Sequence, residues 1–166
     1  MSYSLDEHRE AFDRHPAFES GDTGYRLTSA AFPLAVSFEE TSDETVAYTV
    51  EANLPSLDAV IVDDTLSDAL LEGWAIPMEQ RLADIDQATT LRDVSLTCEW
   101  DREGFAATFR FERPPAAPAP TDELVAMAGY VEGTYLQGTI PGYTYRDPVG
   151  ELLDAARDRA TGIEPP

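Results

Sequence analysis

Two stretches of the chain alternate between apolar and polar residues, which is the pattern of half-buried strands. In the first, residues 34–38 and 46–54 are joined by a turn at residues 41–44. In the second, residues 94–100 and 105–111 are joined by a turn at residues 101–104. One apolar and one polar side on each strand is typical of an antiparallel sheet with one solvated face. The pattern therefore predicts two β-hairpins.

Two shorter stretches extend this picture. Residues 25–29 follow the turn sequence Gly21-Asp-Thr-Gly24 and predict a short first strand. The apolar run Ala59-Val-Ile-Val62 lies within residues 57–62 and suits another buried strand or a loop packed beneath a helix.

Apolar residues at intervals of three and four predict helices. The first helix spans residues 5–18, with Ser4 as its cap and Pro16 at its end. A long helical stretch begins at the caps of residues 63–65 and runs to about Gln87, with an apolar stripe of Leu66, Leu70, Trp74, Met78, Leu82 and Ile85. Because Pro77 interrupts this stripe, we expect a kink or two helices joined near residues 75–76.

Two further helices are predicted in the last third of the chain. One begins at Thr121-Asp-Glu123, where the acidic residues suit the helix dipole, and ends at Gly138. The other opens at Asp147-Pro148 and closes at Gly162.

These elements predict an α+β fold of two layers. An antiparallel sheet of two hairpins plus one or two further strands would carry the helices packed on one face. The proline-rich segment 114–120 is too short to mark a domain boundary, and the residues after it are too few to fold alone. We therefore expect a single α+β domain over residues 1–166, with segment 114–120 as a strap inside it.

The charge of the chain defines its setting. It has 32 acidic residues against 11 basic ones, for a net charge of −21, and it contains no lysine. With 32 carboxylates on a surface of roughly 8,000 Å², about one lies in every 250 Å². Molar salt shortens the Debye length to about 3 Å and suppresses the resulting repulsion. The composition therefore favours a halophilic protein over an ordinary acidic cytosolic one.

The same charge excludes several partners. Nucleic-acid phosphates and anionic membranes both require local positive charge, so we expect neither as a partner. No apolar run is long enough to span a membrane, and no signal peptide is evident at the N-terminus. A single cysteine, Cys98, excludes an internal disulfide. These features predict a cytoplasmic protein.

The residues that could carry metal or nucleophilic chemistry have simpler structural interpretations. Cys98 lies on the apolar side of its strand, far in sequence from both histidines, and is predicted to be a small buried side chain. His8 and His15 share a helical stripe, and the acidic pairs Asp63-Asp64 and Asp84-Ile-Asp86 suit solvated surfaces. No phosphate loop, nucleophile elbow or zinc motif occurs. We therefore predict no catalytic residues, no metal and no cofactor.

Residues 130–146 look most like a binding site. They combine four tyrosines with several glycines and few charges, and Arg146 ends the stretch. Tyrosine and arginine dominate interface hot spots and ligand clamps. A helix exit packed tightly against the sheet explains the same composition, and we favour that structural interpretation. The candidate interaction surface comprises Tyr135, Gly138, Pro141, Gly142, Tyr143, Tyr145 and Arg146.

Three segments resemble a known family over nearly the full length. They are residues 57–60, residues 72–84 with Glu72-Gly-Trp74 at their start, and above all Val131-Glu-Gly-Thr-Tyr-Leu-Gln-Gly-Thr-Ile-Pro-Gly-Tyr143. They look like an uncharacterised family of small acidic proteins from halophilic archaea, a domain of unknown function. The resemblance implies a haloarchaeal, cytosolic setting and implies no activity, so it assigns no catalytic residue.

Two function classes remain. The first, which we favour, is a protein-binding or adaptor module that presents the tyrosine- and arginine-containing surface to a protein partner, with a homodimer as one possibility. The second is a small-ligand-binding protein or enzyme with a pocket near Trp74, Tyr135, Tyr143 and Arg146. A pocket would require a carboxylate with a strongly raised pKa, whereas a binding module would require an exposed apolar patch.

Overall fold

The computed structural model describes residues 5–114 and 116–162, with side chains described as far as residue 159. It contains a six-stranded antiparallel sheet in the order β1-β2-β3-β4-β6-β5. The strands are β1 Phe18–Ser20, β2 Tyr25–Leu27, β3 Leu34–Glu40, β4 Val46–Pro55, β5 Ser95–Trp100 and β6 Gly104–Arg113. The helices are α1 Leu5–Arg14, α2 Asp68–Leu82, α3 Ile85–Ala88, α4 Thr121–Gln137 and α5 Val149–Gly162.

The fold class is the predicted α+β fold with helices packed against the sheet. Both hairpins form, β3 with β4 and β5 with β6. Of the two further strands, β2 lies in the predicted segment 25–29, whereas β1 was not predicted as a strand. The longest strands, β4 and β6, pair over ten residues. Their inward side chains alternate with polar ones, as the sequence pattern requires. The core therefore lies between one face of the sheet and the helices.

Helix α1 is shorter than the pattern predicted. It ends at Arg14, and Phe18 already belongs to β1. Pro16 disfavours helical backbone at the residue before it, so the chain turns and Phe18 joins the sheet. Phe12 packs edge-on against Phe18 at a ring distance of 4.9 Å. Phe18 is therefore a core residue of the sheet rather than of the helix.

His8 lies inside this part of the core. It is only 1% exposed, and its Nδ1 lies 2.6 Å from the hydroxyl of Tyr48 on β4. Burial lowers the pKa of His8, and a hydrogen bond to the backbone of Ala117 acts in the opposite direction. The buried ring thus connects α1 with the central strand and with the strap.

Residues 57–62 form neither of the predicted structures over their full length. Residues 58–60 form a 3-10 helix, and Ile61 makes an antiparallel bridge with Tyr145. Asp58 fixes the exit of this segment, because its carboxylate accepts the Leu66 amide at 2.7 Å and lies 3.4 Å from the Arg102 guanidinium. The apolar run is buried, but its backbone pairs with a distant segment instead of with the sheet.

Helix α2 continues through Pro77 to Leu82, and the break into α3 falls at residues 83–84 instead of near 75–76. Pro77 leaves the carbonyl of Gly73 without its helical partner, and Gly73 is exposed, so water can reach that carbonyl. The helix begins later than predicted, with Ser67 accepting the Leu70 amide at 3.2 Å. Leu70 is 43% exposed and Leu71 is buried in its place.

The strap connects β6 with α4. The Arg113 guanidinium donates two hydrogen bonds to the Pro118 carbonyl, at 3.2 and 3.0 Å. Helix α4 then begins at Thr121 and has Gly138 as its C-cap, as predicted. Pro115, within the predicted strap, lies outside the described residues. Among the described helices, none is both long enough and apolar enough to cross a membrane.

Candidate functional site

The segment after α4, residues 138–146, contains most of the predicted interaction surface, and we call it the tyrosine loop. It runs from the end of α4 to the residues before α5. Tyr145 stabilises the loop by internal hydrogen bonds. Its hydroxyl accepts a hydrogen bond from the Ile140 amide at 2.8 Å and donates one to the Ile140 carbonyl at 3.1 Å. Gly142 has a φ of 98°, a conformation that side-chain-bearing residues rarely adopt. These hydrogen bonds therefore hold residue 145 close to the backbone of residue 140.

A second set of bonds fixes the loop to the segment before α2. The Arg146 amide donates to the Val60 carbonyl at 2.7 Å, and the Val62 amide donates to the Thr144 carbonyl at 2.9 Å. These bonds flank the bridge between Ile61 and Tyr145. Residues 144–146 thus form a short antiparallel ladder with residues 60–62.

Two of the predicted site residues belong to the core instead of the surface. Tyr135 is fully buried, and its hydroxyl donates to the Pro55 carbonyl at 2.8 Å. Trp74 is 3% exposed and packs edge-on against Tyr135 at a ring distance of 5.2 Å. Burial raises the pKa of Tyr135. Trp74 and Tyr135 therefore offer almost no surface to solvent for a pocket shared with Tyr143 and Arg146.

The outward side of the tyrosine loop is open to solvent. Pro141, Gly142 and Arg146 are exposed, while Tyr143 is half-buried against the core. No ion pair joins Arg146 to any other residue that the structure describes. The loop thus presents a proline, a glycine, a partly exposed tyrosine and an exposed arginine.

Gly138 is the position where this loop meets the core. A Cβ at this position would lie 2.7 Å from Cδ1 of Trp74, too close for any real contact. We therefore expect Gly138→Ala to destabilise the protein by about 1–3 kcal/mol, because the rigid indole would have to move.

Gly133 provides the matched control, because a Cβ there would meet nothing within 4 Å. In the interior of α4, Gly133→Ala is expected to stabilise the protein by about 0.5–1 kcal/mol. Urea titrations of both variants would measure the difference. Equal effects of the two substitutions would contradict the close contact between Gly138 and Trp74.

The remaining chemical candidates do not assemble into a site. Cys98 is half-buried, and burial together with the charge of Glu79 raises the pKa of its thiol to about 11. A nucleophilic cysteine would need the opposite shift. Within the described ranges, no three His, Cys, Asp or Glu side chains group in a way that could hold a metal ion.

Two surface depressions lie away from the tyrosine loop. They have volumes of about 550 and 830 Å³. The first is lined by residues from β2, β3 and β4, and the second by residues from β3 to β6 and the turns next to them. Neither includes any residue of the tyrosine loop.

Sequence reasoning missed two exposed apolar residues of α2. Leu70 and Ile76 are 43% and 46% exposed, although the predicted stripe placed Leu70 in the core. An alternative stripe through Leu71, Trp74, Ala75 and Met78 has the same helical spacing and contains the residues that are in fact buried. The sequence therefore contained a second apolar stripe that could have identified the buried side of α2 and the exposure of Leu70.

A family model describes residues 13–155 of the chain, which is most of its length. No curated protein and no solved structure matches the chain. The resemblance to an uncharacterised domain is thereby confirmed, and its organism of origin stays an expectation. The chain belongs to DUF5813, a family of unknown function.

Proposed function

We propose that this chain is a protein-binding module and that the tyrosine loop is its contact surface. The supporting observation is that the loop is both exposed and fixed. Pro141, Gly142 and Arg146 are open to solvent, while Tyr145 and the ladder with residues 60–62 hold the backbone. A surface that is ordered before binding loses little conformational entropy when a partner docks.

The chemistry of the loop fits a protein partner that presents a carboxylate beside an apolar patch. Arg146 is an exposed guanidinium with no described ion-pair partner, and guanidinium groups bind carboxylates through two parallel hydrogen bonds. Tyr143 lies three residues earlier and is partly exposed. Tyrosine and arginine are the residues that most often dominate the binding energy of interfaces.

A photo-crosslinking aromatic amino acid in place of Tyr143 tests this proposal in cells at their native salt. We expect one discrete protein adduct, and we expect Arg146→Glu to reduce its yield about tenfold, the effect of losing one hot-spot residue. Tyr145 is left intact in this experiment, because its hydroxyl maintains the loop.

The same photo-crosslinker at Glu51, exposed on the polar face of the sheet, is the matched control. An adduct yield at position 143 no higher than at position 51 would refute the proposal. So would an adduct at position 143 whose yield is unchanged by Arg146→Glu.

A further inference from the structure

The two edges of the sheet differ in how well they are protected. Strand β1 has only three residues, and short edge strands resist pairing with other chains. Strand β5 has six residues, no proline and a single charge, Glu99. Among the described strands, β6 alone pairs with it. The β5 edge is therefore longer than the β1 edge, and it lacks the proline and the multiple charges that often prevent strand addition.

Alternate backbone groups of β5 are directed away from the sheet. The Asp101 amide donates to the Gly104 carbonyl at 2.9 Å, so Asp101 faces β6. Because successive residues of a strand point their backbone groups to opposite sides, the amides and carbonyls of Leu96, Cys98 and Trp100 face the free edge.

The side chains of these three residues are only partly covered. Leu96, Cys98 and Trp100 are half-buried, although they occupy the core face of the sheet. Their direct neighbours on β6, which are Phe109, Ala107 and Phe105, are fully buried. A strip of apolar surface therefore lies beside the unpaired backbone groups.

We propose that β5 pairs antiparallel with β5 of a second copy of this chain, around a twofold axis at Cys98. In this register Leu96 lies opposite Trp100 of the second copy, and Glu99 lies opposite Thr97 of the second copy. An aromatic residue thus meets an aliphatic one, and no two carboxylates are directly opposed. The second copy is the fitting occupant because its own strand supplies this complementary row of side chains and the matching backbone groups.

The charge of the chain makes this pairing dependent on salt. Each copy carries a net charge of −21, and Glu79 of each α2 lies close enough to Cys98 to raise the pKa of its thiol. Bringing two copies together places these charges near one another. Because salt screens that repulsion, the dissociation constant of the dimer is expected to fall as KCl is raised.

Sedimentation equilibrium of the full chain in 0.3 and 3 M KCl tests the interface. We expect a dimer that is tighter in 3 M KCl. Thr97→Glu places a second carboxylate opposite Glu99 at two symmetric positions and should weaken the dimer about fivefold in 0.3 M KCl. Thr97→Arg should leave it as tight or tighter, and Ser37→Glu, on the same polar face but three strands away, should have no effect.

Oxidation of the unmodified chain with diamide, which accepts the two electrons and two protons of disulfide formation, tests the register without any substitution. Cys98 opposite its own copy should yield a covalent dimer, whereas the amides of residues 96, 98 and 100 should exchange more slowly in the dimer than in the monomer. The proposal is overturned by a monomer at all concentrations in 3 M KCl. It is equally overturned if Thr97→Glu and Ser37→Glu act alike, or if the amides of residues 96, 98 and 100 exchange as fast in the dimer as in the monomer.

Discussion

Lowering the salt concentration to about 10 mM should unfold the chain at neutral pH, with a loss of stability comparable to the roughly 5–15 kcal/mol of a typical domain. Even if every arginine neutralised one carboxylate, 21 negative charges would remain. The accessible surface of 9531 Å² gives each of the 32 carboxylates about 300 Å², which is a mean spacing of about 17 Å. The Debye length is about 30 Å at 0.01 M and about 3 Å at 1 M. Repulsion thus acts across this spacing in dilute buffer and is screened in molar salt.

Circular dichroism and thermal melting in 10 mM buffer and in 2 M KCl would measure this effect. Sucrose at matched osmolality is the control, because it favours compact states without screening charge. If sucrose restores folding as well as KCl, charge repulsion is not the cause. An identical melting temperature in dilute buffer and in 2 M KCl would remove the basis for expecting a halophilic protein.

Trp74→Ala is expected to destabilise the protein by about 3–5 kcal/mol, the effect of deleting a large buried aromatic side chain. The indole packs edge-on against Phe105 at 5.6 Å and against Tyr135 at 5.2 Å, and so connects α2 with the sheet and with α4. Denaturant titration in 2 M KCl would measure the loss.

Trp74→Phe is the matched control, since it keeps an aromatic ring at the same place. The indole Nε1 is buried and has no hydrogen-bond partner among the described atoms, so removing it breaks no hydrogen bond. We expect Trp74→Phe to have less than half the effect of Trp74→Ala. A Trp74→Ala variant with unchanged stability would show that the indole is a surface feature and would revive a pocket at that position.

The sheet could be predicted because its signal is local. Val36, Val50 and Phe109 each occupy an alternating position on a strand, and all three are buried on the same face. The turn residues at 41–44 and 101–104 place the strands of each hairpin next to each other. Period and turn chemistry together define a hairpin without any knowledge of the rest of the chain.

The errors occur where a distant segment decides the structure. Nothing within residues 57–62 indicates that their backbone would pair with residues 144–146, more than eighty positions later in the chain. Likewise, the choice between Leu70 and Leu71 depends on which side of α2 meets α4 and the sheet. A periodic pattern predicts the spacing of buried residues along a helix, whereas tertiary contacts determine which side of the helix is buried.

The candidate interaction surface was also predicted only in part, for the same reason. Composition identified the region around residues 135–146 but did not separate Tyr135, which is buried, from Arg146, which is exposed. That separation depends on where α4 ends relative to Trp74. The exposed part of the surface is consequently smaller than the predicted one.

The ladder between residues 60–62 and 144–146 has a consequence for the order of assembly. Its two segments are separated by two strands of the sheet and three helices along the chain. Closing so long a stretch of backbone is entropically unfavourable until the intervening elements have packed. We therefore expect the tyrosine loop to reach its ordered conformation late in folding, so that its surface becomes available only on a molecule whose core is already complete.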